Sequence, residues 1–123
     1  MLAESNVFAT LAVKDINAGK EFYGVKLGLT QTDENSGGVT YTCGNGKLFV
    51  YESPFAGTNQ ATGAAWEVND VEATVTELKD KGISFEQYDM PGVTREGDVH
   101  TMGPLKAAWF KDPDGNILSV GSA

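Results

Sequence analysis

The chain has 123 residues, 41% hydrophobic and 10% aromatic, which is enough apolar material for the core of one domain of ordinary size. Its formal net charge of -8 at pH 7 disfavours nucleic acid and anionic membrane surfaces as partners, because basic patches recognise both. The only cysteine, Cys43, excludes an internal disulfide, and no stretch has the roughly 18 apolar residues of a membrane span. These features predict a cytoplasmic protein.

The first half of the chain predicts a strand, a helix and three further strands. The first strand covers 8–13, and Asp15 is a suitable N-cap for a helix whose apolar residues recur at helical spacing as far as Leu27. Gly28 then favours a left-handed C-cap. Glycine-containing turns separate the strands that follow, which are predicted at 29–34, 38–43 and 47–52.

The second half repeats this order. A strand at 64–68 precedes Asp70, which is the predicted N-cap of a helix over 71–81 with an apolar stripe at i, i+4 and i+7. The segment 88–104 is too long and irregular for a tight hairpin, which indicates a lid or a binding loop. The remaining strands are predicted at 83–89, 106–111 and 116–120.

The two halves superpose as an internal duplication. Adding 55 maps Val13 onto Val68, and a shift of 69 maps the strand 47–51 onto 116–120. The chain therefore predicts an α+β fold of two βαβββ modules, in which a helix covers one face of each sheet and the other faces form a concave surface. The modules and their linker cover about 7–52, 63–121 and 53–62, within a single domain over 1–123.

Three segments carry a family resemblance: LAVKDINAGKEFYGVKLGL at 11–29, WEVNDVEATVTELKDKGISF at 66–85 and AAWFKDPDGNIL at 107–118. In this order and spacing the chain resembles the vicinal oxygen chelate superfamily, which includes glyoxalase I, extradiol dioxygenases, fosfomycin resistance enzymes and bleomycin resistance proteins. The resemblance implies two modules that form a curved, half-open barrel, often in a homodimer. For metal-dependent members it implies a metal inside the curve, held by His, Glu or Gln side chains from the first and last strands of each module.

The four positions that the resemblance assigns to metal ligands hold Phe8, Val50, Gly63 and Ser119. Ser119 lies four residues after Gly115 of the DPDG turn, and the shift of 69 makes Val50 its counterpart. Divalent first-row metals prefer imidazole, thiolate or carboxylate donors, so this set predicts no metal and no other cofactor. The resemblance then implies the metal-free branch, whose best-known members sequester cationic glycopeptide antibiotics between two subunits.

Alternation along the strands selects the side chains that would line the cleft, and the 88–104 loop adds others. A small, apolar and lightly polar cleft of this kind is typical of a small-molecule pocket. The alternatives are that Phe8 fills the space of a metal, that Trp109 belongs to the core, and that Glu67 is an ordinary strand carboxylate. The predicted ligand contacts are Phe8, Thr10, Val50, Glu67, Tyr88, Asp89, His100, Trp109 and Ser119.

The favoured interpretation is a metal-independent, homodimeric protein that binds and sequesters a cationic or aromatic small molecule. The alternative is an enzyme of the same superfamily, a lyase or isomerase, that uses a displaced metal or an acid–base residue such as Glu67 or His100. A lone histidine in a loop is also typical of a solvated side chain, and the sequence contains no recognisable nucleophile–base pair or phosphate loop. No residue is therefore assigned a catalytic role.

Overall fold

The computed structural model describes residues 1–122 and has the predicted α+β architecture, with two mixed sheets. The elements of the first module are a 3-10 helix (Leu2–Glu4), β1 (Ala9–Val13), α1 (Ile16–Gly19, continued in π-helical form by Lys20–Lys26), β2 (Thr30–Asn35), β3 (Gly38–Cys43) and β4 (Gly46–Glu52). The strand order is β1-β4-β3-β2, with β1 and β4 parallel and the other neighbours antiparallel.

The second sheet has the same plan with an addition. Its elements are β5 (Thr62–Glu67), α2 (Val71–Asp80), β6 (Phe85–Glu86), β7 (Thr94–Glu96), β8 (Val99–Met102), β9 (Leu105–Lys111) and β10 (Ile117–Ser122). The order is β5-β10-β9-β8-β7, and β6 pairs with the same edge of β9 as β8 does. The edge strands β1 and β5 contact each other, and within the described residues the sheets do not close into a barrel, which agrees with the predicted half-open form.

Local signals in the sequence set the helix ends. The carboxylates of Asp15 and Asp70 each accept a hydrogen bond of 3.0 Å from a backbone N–H in the first turn, which confirms both N-caps. Gly28 follows the first helix with a φ of 71°, in the left-handed region that favours glycine. No helix within 1–122 is long and apolar enough to cross a membrane.

The helix sides of the two sheets share one core. Leu11 and Val13 of β1 are buried there, as predicted, and Phe22 of α1 contacts Phe110 of β9 with the ring centroids 6.5 Å apart. The other face of each sheet, called the outer face here, points away from this core. The outer faces carry Thr10, Thr40, Phe49 and Tyr51 in the first sheet and Ala65, Trp109 and Ser119 in the second.

The predicted placement of Val50 in the cleft is wrong. Val50 is fully buried on the helix side, and a Cβ at Gly19 of α1 would lie 3.4 Å from its Cγ1 atom. Thr10 pairs with Phe49 as Ala65 pairs with Ser119, so the counterpart of Ser119 is Phe49, at a shift of 70. The two turns explain the error of one residue, because the β3–β4 turn has two residues between paired strand ends and the β9–β10 turn has five.

The longer of these turns, 112–116, binds the second module to the first. The buried Asp112 carboxylate accepts hydrogen bonds from the Tyr23 hydroxyl at 2.7 Å and from the Asn116 backbone N–H at 2.8 Å. The Asn116 side chain donates to the carbonyl of Ala12 at 2.7 Å, and the Asp114 carboxylate accepts from the backbone N–H of Lys14 at 3.0 Å. Burial, reinforced by the charge of Asp112, raises the pKa of Tyr23, so this network holds a neutral phenol.

The segment 88–104 contains a hairpin that the sequence analysis missed. Strands β7 and β8 pair through Thr94↔Thr101 and Glu96↔Val99, which leaves Gly97 and Asp98 as a two-residue turn. Gly97 has a φ of 62°, as two-residue hairpin turns require. The Gly97-Asp98 pair is therefore a sequence signal from which this hairpin could have been predicted.

Candidate functional site: an aromatic cavity on the second sheet

The predicted cleft residues do not meet in one cavity. Phe8 lines a cavity of about 440 Å³ on the outer face of the first sheet, together with Thr40 and Phe49. Glu67 is exposed and lines a cavity of about 590 Å³ between β5 and the β3–β4 turn. Tyr88 and Trp109 line a third cavity, of about 680 Å³.

The remaining predicted contacts lie outside these three cavities. Thr10 is exposed on the outer face of the first sheet, and Ser119 is buried on that of the second. Asp89 is 93% exposed and forms a loose ion pair with Arg95, with Nε and Oδ1 3.6 Å apart. His100 is fully buried, so it is not a solvated side chain, and it is not among the residues that line the three cavities.

The third cavity, called the aromatic cavity here, lies between the second sheet and the end of the linker. Its aromatic walls are Tyr88 and Trp109, whose ring centroids are 5.6 Å apart at an interplanar angle of 73°. The Trp109 indole N–H donates to the Thr62 hydroxyl at 3.1 Å, which fixes the orientation of the ring. The lining residues are Gly57, Asn59, Gln60, Ala61, Thr62, Tyr88, Met90, Trp109, Lys111, Gly115 and Ile117.

His100 lies behind this aromatic pair with both ring nitrogens engaged. Its Nε2 atom accepts a hydrogen bond from the Tyr88 backbone N–H at 2.9 Å, and Nδ1 lies 3.1 Å from the carbonyl oxygen of Asp98. Because the Tyr88 N–H can only donate, Nε2 is the acceptor and Nδ1 carries the proton, which gives a neutral imidazole. The ring packs edge-on against Trp109, with centroids 4.9 Å apart.

The charges around the aromatic cavity are sparse. Lys111 is the one lining residue with an ionisable charged side chain, and its Nζ atom is 3.7 Å from a carboxylate oxygen of Glu86. Behind the hairpin, Asp98 forms a 2.8 Å ion pair with Lys79 of α2. This hydrogen-bonded lysine holds the pKa of the Asp98 carboxyl below its usual value, so the carboxylate stays charged.

The metal-ligand positions, with Phe49 in place of Val50, hold Phe8, Phe49, Gly63 and Ser119, and Gly63 lies at an irregularity in the pairing of β5 with β10. One hydroxyl and two phenyl rings do not fit a divalent first-row metal. A Cβ at Gly63 would lie 2.9 Å from Cδ2 of the buried Leu11, so a ligand side chain there requires a core residue to move. Within the described residues, no group of three His, Cys, Asp or Glu side chains could hold a metal ion.

The sequence analysis missed the linker wall of the aromatic cavity and the contribution of Lys111. The linker was interpreted only as a polar connector, since Asn59 and Gln60 show no periodicity that would place them on a surface. Lys111 ends β9 on the same outer face as Trp109, so strand alternation from Trp109 was a signal that could have found it.

The comparisons with known proteins agree with this fold. The family model described as the Glyoxalase/Bleomycin resistance protein/Dioxygenase superfamily matches residues 6–120. The chain belongs to this superfamily. That assignment confirms the resemblance seen in the sequence motifs. No curated protein matches the chain.

Solved structures of the superfamily cover nearly the whole chain. A glyoxalase family protein from Enterococcus faecalis is 21% identical with a TM-score of 0.74, covering 98% of this chain and 99% of its own. A lactoylglutathione lyase from Agrobacterium tumefaciens is 18% identical with a TM-score of 0.68, covering 98% and 94%. A glyoxalase/bleomycin resistance protein from Streptomyces sp. CB03234 is 20% identical with a TM-score of 0.67, covering 94% and 98%. At these identities the likeness shows the fold alone.

Proposed function

We propose that this superfamily member binds a small aromatic molecule in the aromatic cavity, without a metal. The observation that carries the proposal is the fixed pair of Tyr88 and Trp109 on one wall of a cavity of about 680 Å³. That volume lies in the range of small-molecule pockets, roughly 300–1,000 Å³. Met90 and Ile117 add apolar surface, and the amides of Asn59 and Gln60 offer polar groups that would orient a ligand.

The charge of the cavity narrows the ligand class. A cationic or an aromatic compound was predicted from the sequence, and the overall charge of -8 would favour a cation. The lining supplies Lys111 and no carboxylate, since Glu86, 3.7 Å from the Lys111 Nζ atom, lies outside it, so the lining favours a neutral or anionic aromatic ring over a cationic one. Sequestration of such a compound requires only binding and no catalytic residue, so it is the role we propose.

The donor set supports metal independence. Carboxylate, imidazole and thiolate groups are missing from all four of the corrected metal-ligand positions, Phe8, Phe49, Gly63 and Ser119. The enzyme alternative has less support, because both nitrogens of His100 are already engaged in hydrogen bonds and its side chain is fully buried. A buried imidazole in this state is poorly placed to exchange protons with a substrate.

We also propose that the chain is a homodimer in which a second copy covers the outer face of the first sheet. The shared core leaves this face outside, with Phe49 and Tyr51 stacked 6.0 Å apart and Phe8 54% exposed beside them. An isologous pairing of such a face would bury these rings. Analytical ultracentrifugation of wild type and Phe8→Ser tests it: a monomeric wild type contradicts the proposal.

The proposal also covers the domain organisation of the chain, its location in the cell and its class of partner. The core shared by both modules supports a single domain made of 7–52, 53–62 and 63–121. The unpaired Cys43 and the acidic charge support a reducing cytoplasmic location and a partner that is neither nucleic acid nor membrane. Localisation of a tagged protein tests the expected cytoplasmic location directly.

The test of ligand binding uses matched bicyclic probes of different charge. 2-Naphthoate, 2-naphthol and 2-naphthylmethylammonium are titrated against wild type and followed by tryptophan fluorescence and melting temperature. We expect the anionic and neutral probes to bind and the cationic probe to bind more weakly. Phe8→Ala, which changes a different cavity, is the control and should leave binding unchanged.

A metal titration completes this test. The protein is loaded with Ni²⁺, Zn²⁺, Mn²⁺ or Fe²⁺, freed of unbound metal and analysed for bound metal. Stoichiometric metal together with a stabilisation that is lost in Glu67→Ala or His100→Ala would contradict metal independence. In the ligand titration, equal affinity for the three naphthyl probes would contradict the proposed preference for a neutral or anionic aromatic ring.

A further inference from the structure

We infer that His100 is a positioning residue, which holds Tyr88 in place and so preforms the aromatic cavity before any ligand arrives. The inference rests on the proposed function and names the residue that controls its affinity. His100 itself does not line the cavity, so it acts through Tyr88 and Trp109.

The first step is the path of the backbone between Glu86 and His100. Strand β6 ends at Glu86, opposite Trp109, and pairing with β9 resumes at His100, opposite Ala107. Between these points the chain leaves the edge of β9 and forms the hairpin that contains β7. The His100 side chain bonds to both ends of this excursion, namely the N–H of Tyr88 and the carbonyl of Asp98.

The second step is the anchoring of His100 itself. Its ring is completely buried and packs edge-on against Trp109, whose indole is held in turn by Thr62. The Asp98 carboxylate is tied to Lys79 of α2 at 2.8 Å and to Gln87 at 3.1 Å. The Tyr88 N–H therefore donates to an acceptor, His100 Nε2, whose own position is fixed from several directions.

The third step links this anchoring to binding. Tyr88 is half-buried, and its ring meets Trp109 at 73° to form a corner that a flat ligand would enter. Holding a side chain in its bound position beforehand removes the cost of ordering it on binding. Loss of the His100–Tyr88 hydrogen bond should therefore weaken ligand affinity by about two- to tenfold.

Two amide substitutions separate the roles of the two nitrogens. His100→Gln places an amide oxygen near the position of Nε2, where it can accept from the Tyr88 N–H. His100→Asn places its amide near Nδ1, where it can reach only the Asp98 carbonyl. His100→Leu removes both hydrogen bonds and keeps an apolar side chain against Trp109. Rescue by Gln but not by Asn would identify the Tyr88 contact as the one that matters.

The experiment measures 2-naphthoate affinity by tryptophan fluorescence, Tyr88 amide hydrogen exchange by NMR, and the protonation of each His100 nitrogen by ¹⁵N NMR. In wild type we expect a protected Tyr88 amide, a proton on Nδ1 and none on Nε2. His100→Asn and His100→Leu should bind about two- to tenfold more weakly and exchange the Tyr88 amide faster, and His100→Gln should stay within about twofold of wild type.

Several results would overturn the inference. An unprotected Tyr88 amide or a protonated Nε2 in wild type does so without any variant, so a poorly folding variant does not block the test. Equal behaviour of the Gln and Asn variants does so as well. If wild type binds none of the naphthyl probes, the proposed ligand class fails. The positioning role is then decided by Tyr88 exchange alone, in wild type and the two amide variants.

Discussion

The two modules share one plan, yet their outer faces differ. In the first, β2 stays paired with β3 from Thr30 to Asn35 apart from one bulge at Thr32, and Phe49 and Tyr51 lie stacked at 15° on the outer face. In the second, the edge strand leaves β9 after Glu86 and returns at His100, and the excursion brings Tyr88 against Trp109. The second module thus has a walled cavity at a sheet edge that the first lacks, while the order of the strands and helix is shared.

The largest expected effect concerns the turn that joins the modules. Asp112→Ala leaves the buried Tyr23 hydroxyl and the Asn116 N–H without their acceptor. We expect it to lower the free energy of unfolding by about 3 kcal/mol, because the buried donors lose a charged partner. Urea unfolding measures the loss. The control Asp33→Ala changes an exposed carboxylate of β2 and should stay within about 0.5 kcal/mol of wild type.

The second prediction compares the outer faces directly. Trp109→Leu removes one aromatic wall, and we expect 2-naphthoate to bind about tenfold more weakly, since ring contacts dominate such sites. The matched change in the first sheet, Phe49→Leu, should leave the affinity unchanged. Isothermal titration calorimetry measures both dissociation constants. A larger loss in Phe49→Leu than in Trp109→Leu would place the ligand on the wrong sheet for our proposal.

The third prediction addresses the hairpin of β7 and β8. Gly97 has a φ of 62° in the hairpin turn, so Gly97→Ala forces an unfavourable backbone conformation and should cost about 1 kcal/mol. Gly46→Ala, at the first residue of β4, is the control, because Gly46 does not have a positive φ. Thermal unfolding compares the two. Equal losses would mean that the left-handed backbone at Gly97 places no special demand on the residue there.

The smallest expected effect is the ion pair behind the hairpin. Lys79→Met should lower the free energy of unfolding by about 0.5 kcal/mol at pH 7, since Lys79 is half exposed. The Asp98 pKa is lowered in the folded state, so the contribution is present above its ordinary value of 3.8 and is lost as the pH falls below that value. Denaturant unfolding from pH 7 to pH 3 should show the two proteins converging. Lys81→Met, with a 4.0 Å exposed pair to Glu77, should show no such trend.

The parts of the fold that were predicted correctly depend on neighbours in sequence. Asp15 and Asp70 cap helices through contacts two or three residues away, and the alternation of Leu11 and Val13 sets the buried face of β1. Placing Val50 on the correct face required the lengths of the β3–β4 and β9–β10 turns. Matching the turn glycines of the two modules gave a register that was wrong by one residue, which put Val50 on the wrong face.

The candidate site was predictable only in part. Tyr88 and Trp109 were expected near a ligand, and the structure places both in one cavity. The burial of His100 depends on the backbone at Tyr88, a contact twelve residues away that no local pattern encodes. The linker wall likewise depends on the β9–β10 turn, because Gly57 lies against the backbone of Asp114, whose side chain bonds to Lys14 of the first module.

Gly63 leaves little room for a side chain, which bears on any attempt to build a metal site in this chain. Its α-carbon faces Leu11 so closely that the first atom of a side chain would lie 2.9 Å from that leucine. A donor side chain at position 63 therefore requires the end of the Leu11 side chain to shift or a smaller residue to replace it. Laboratory evolution towards metal chemistry from this chain should vary positions 11 and 63 together.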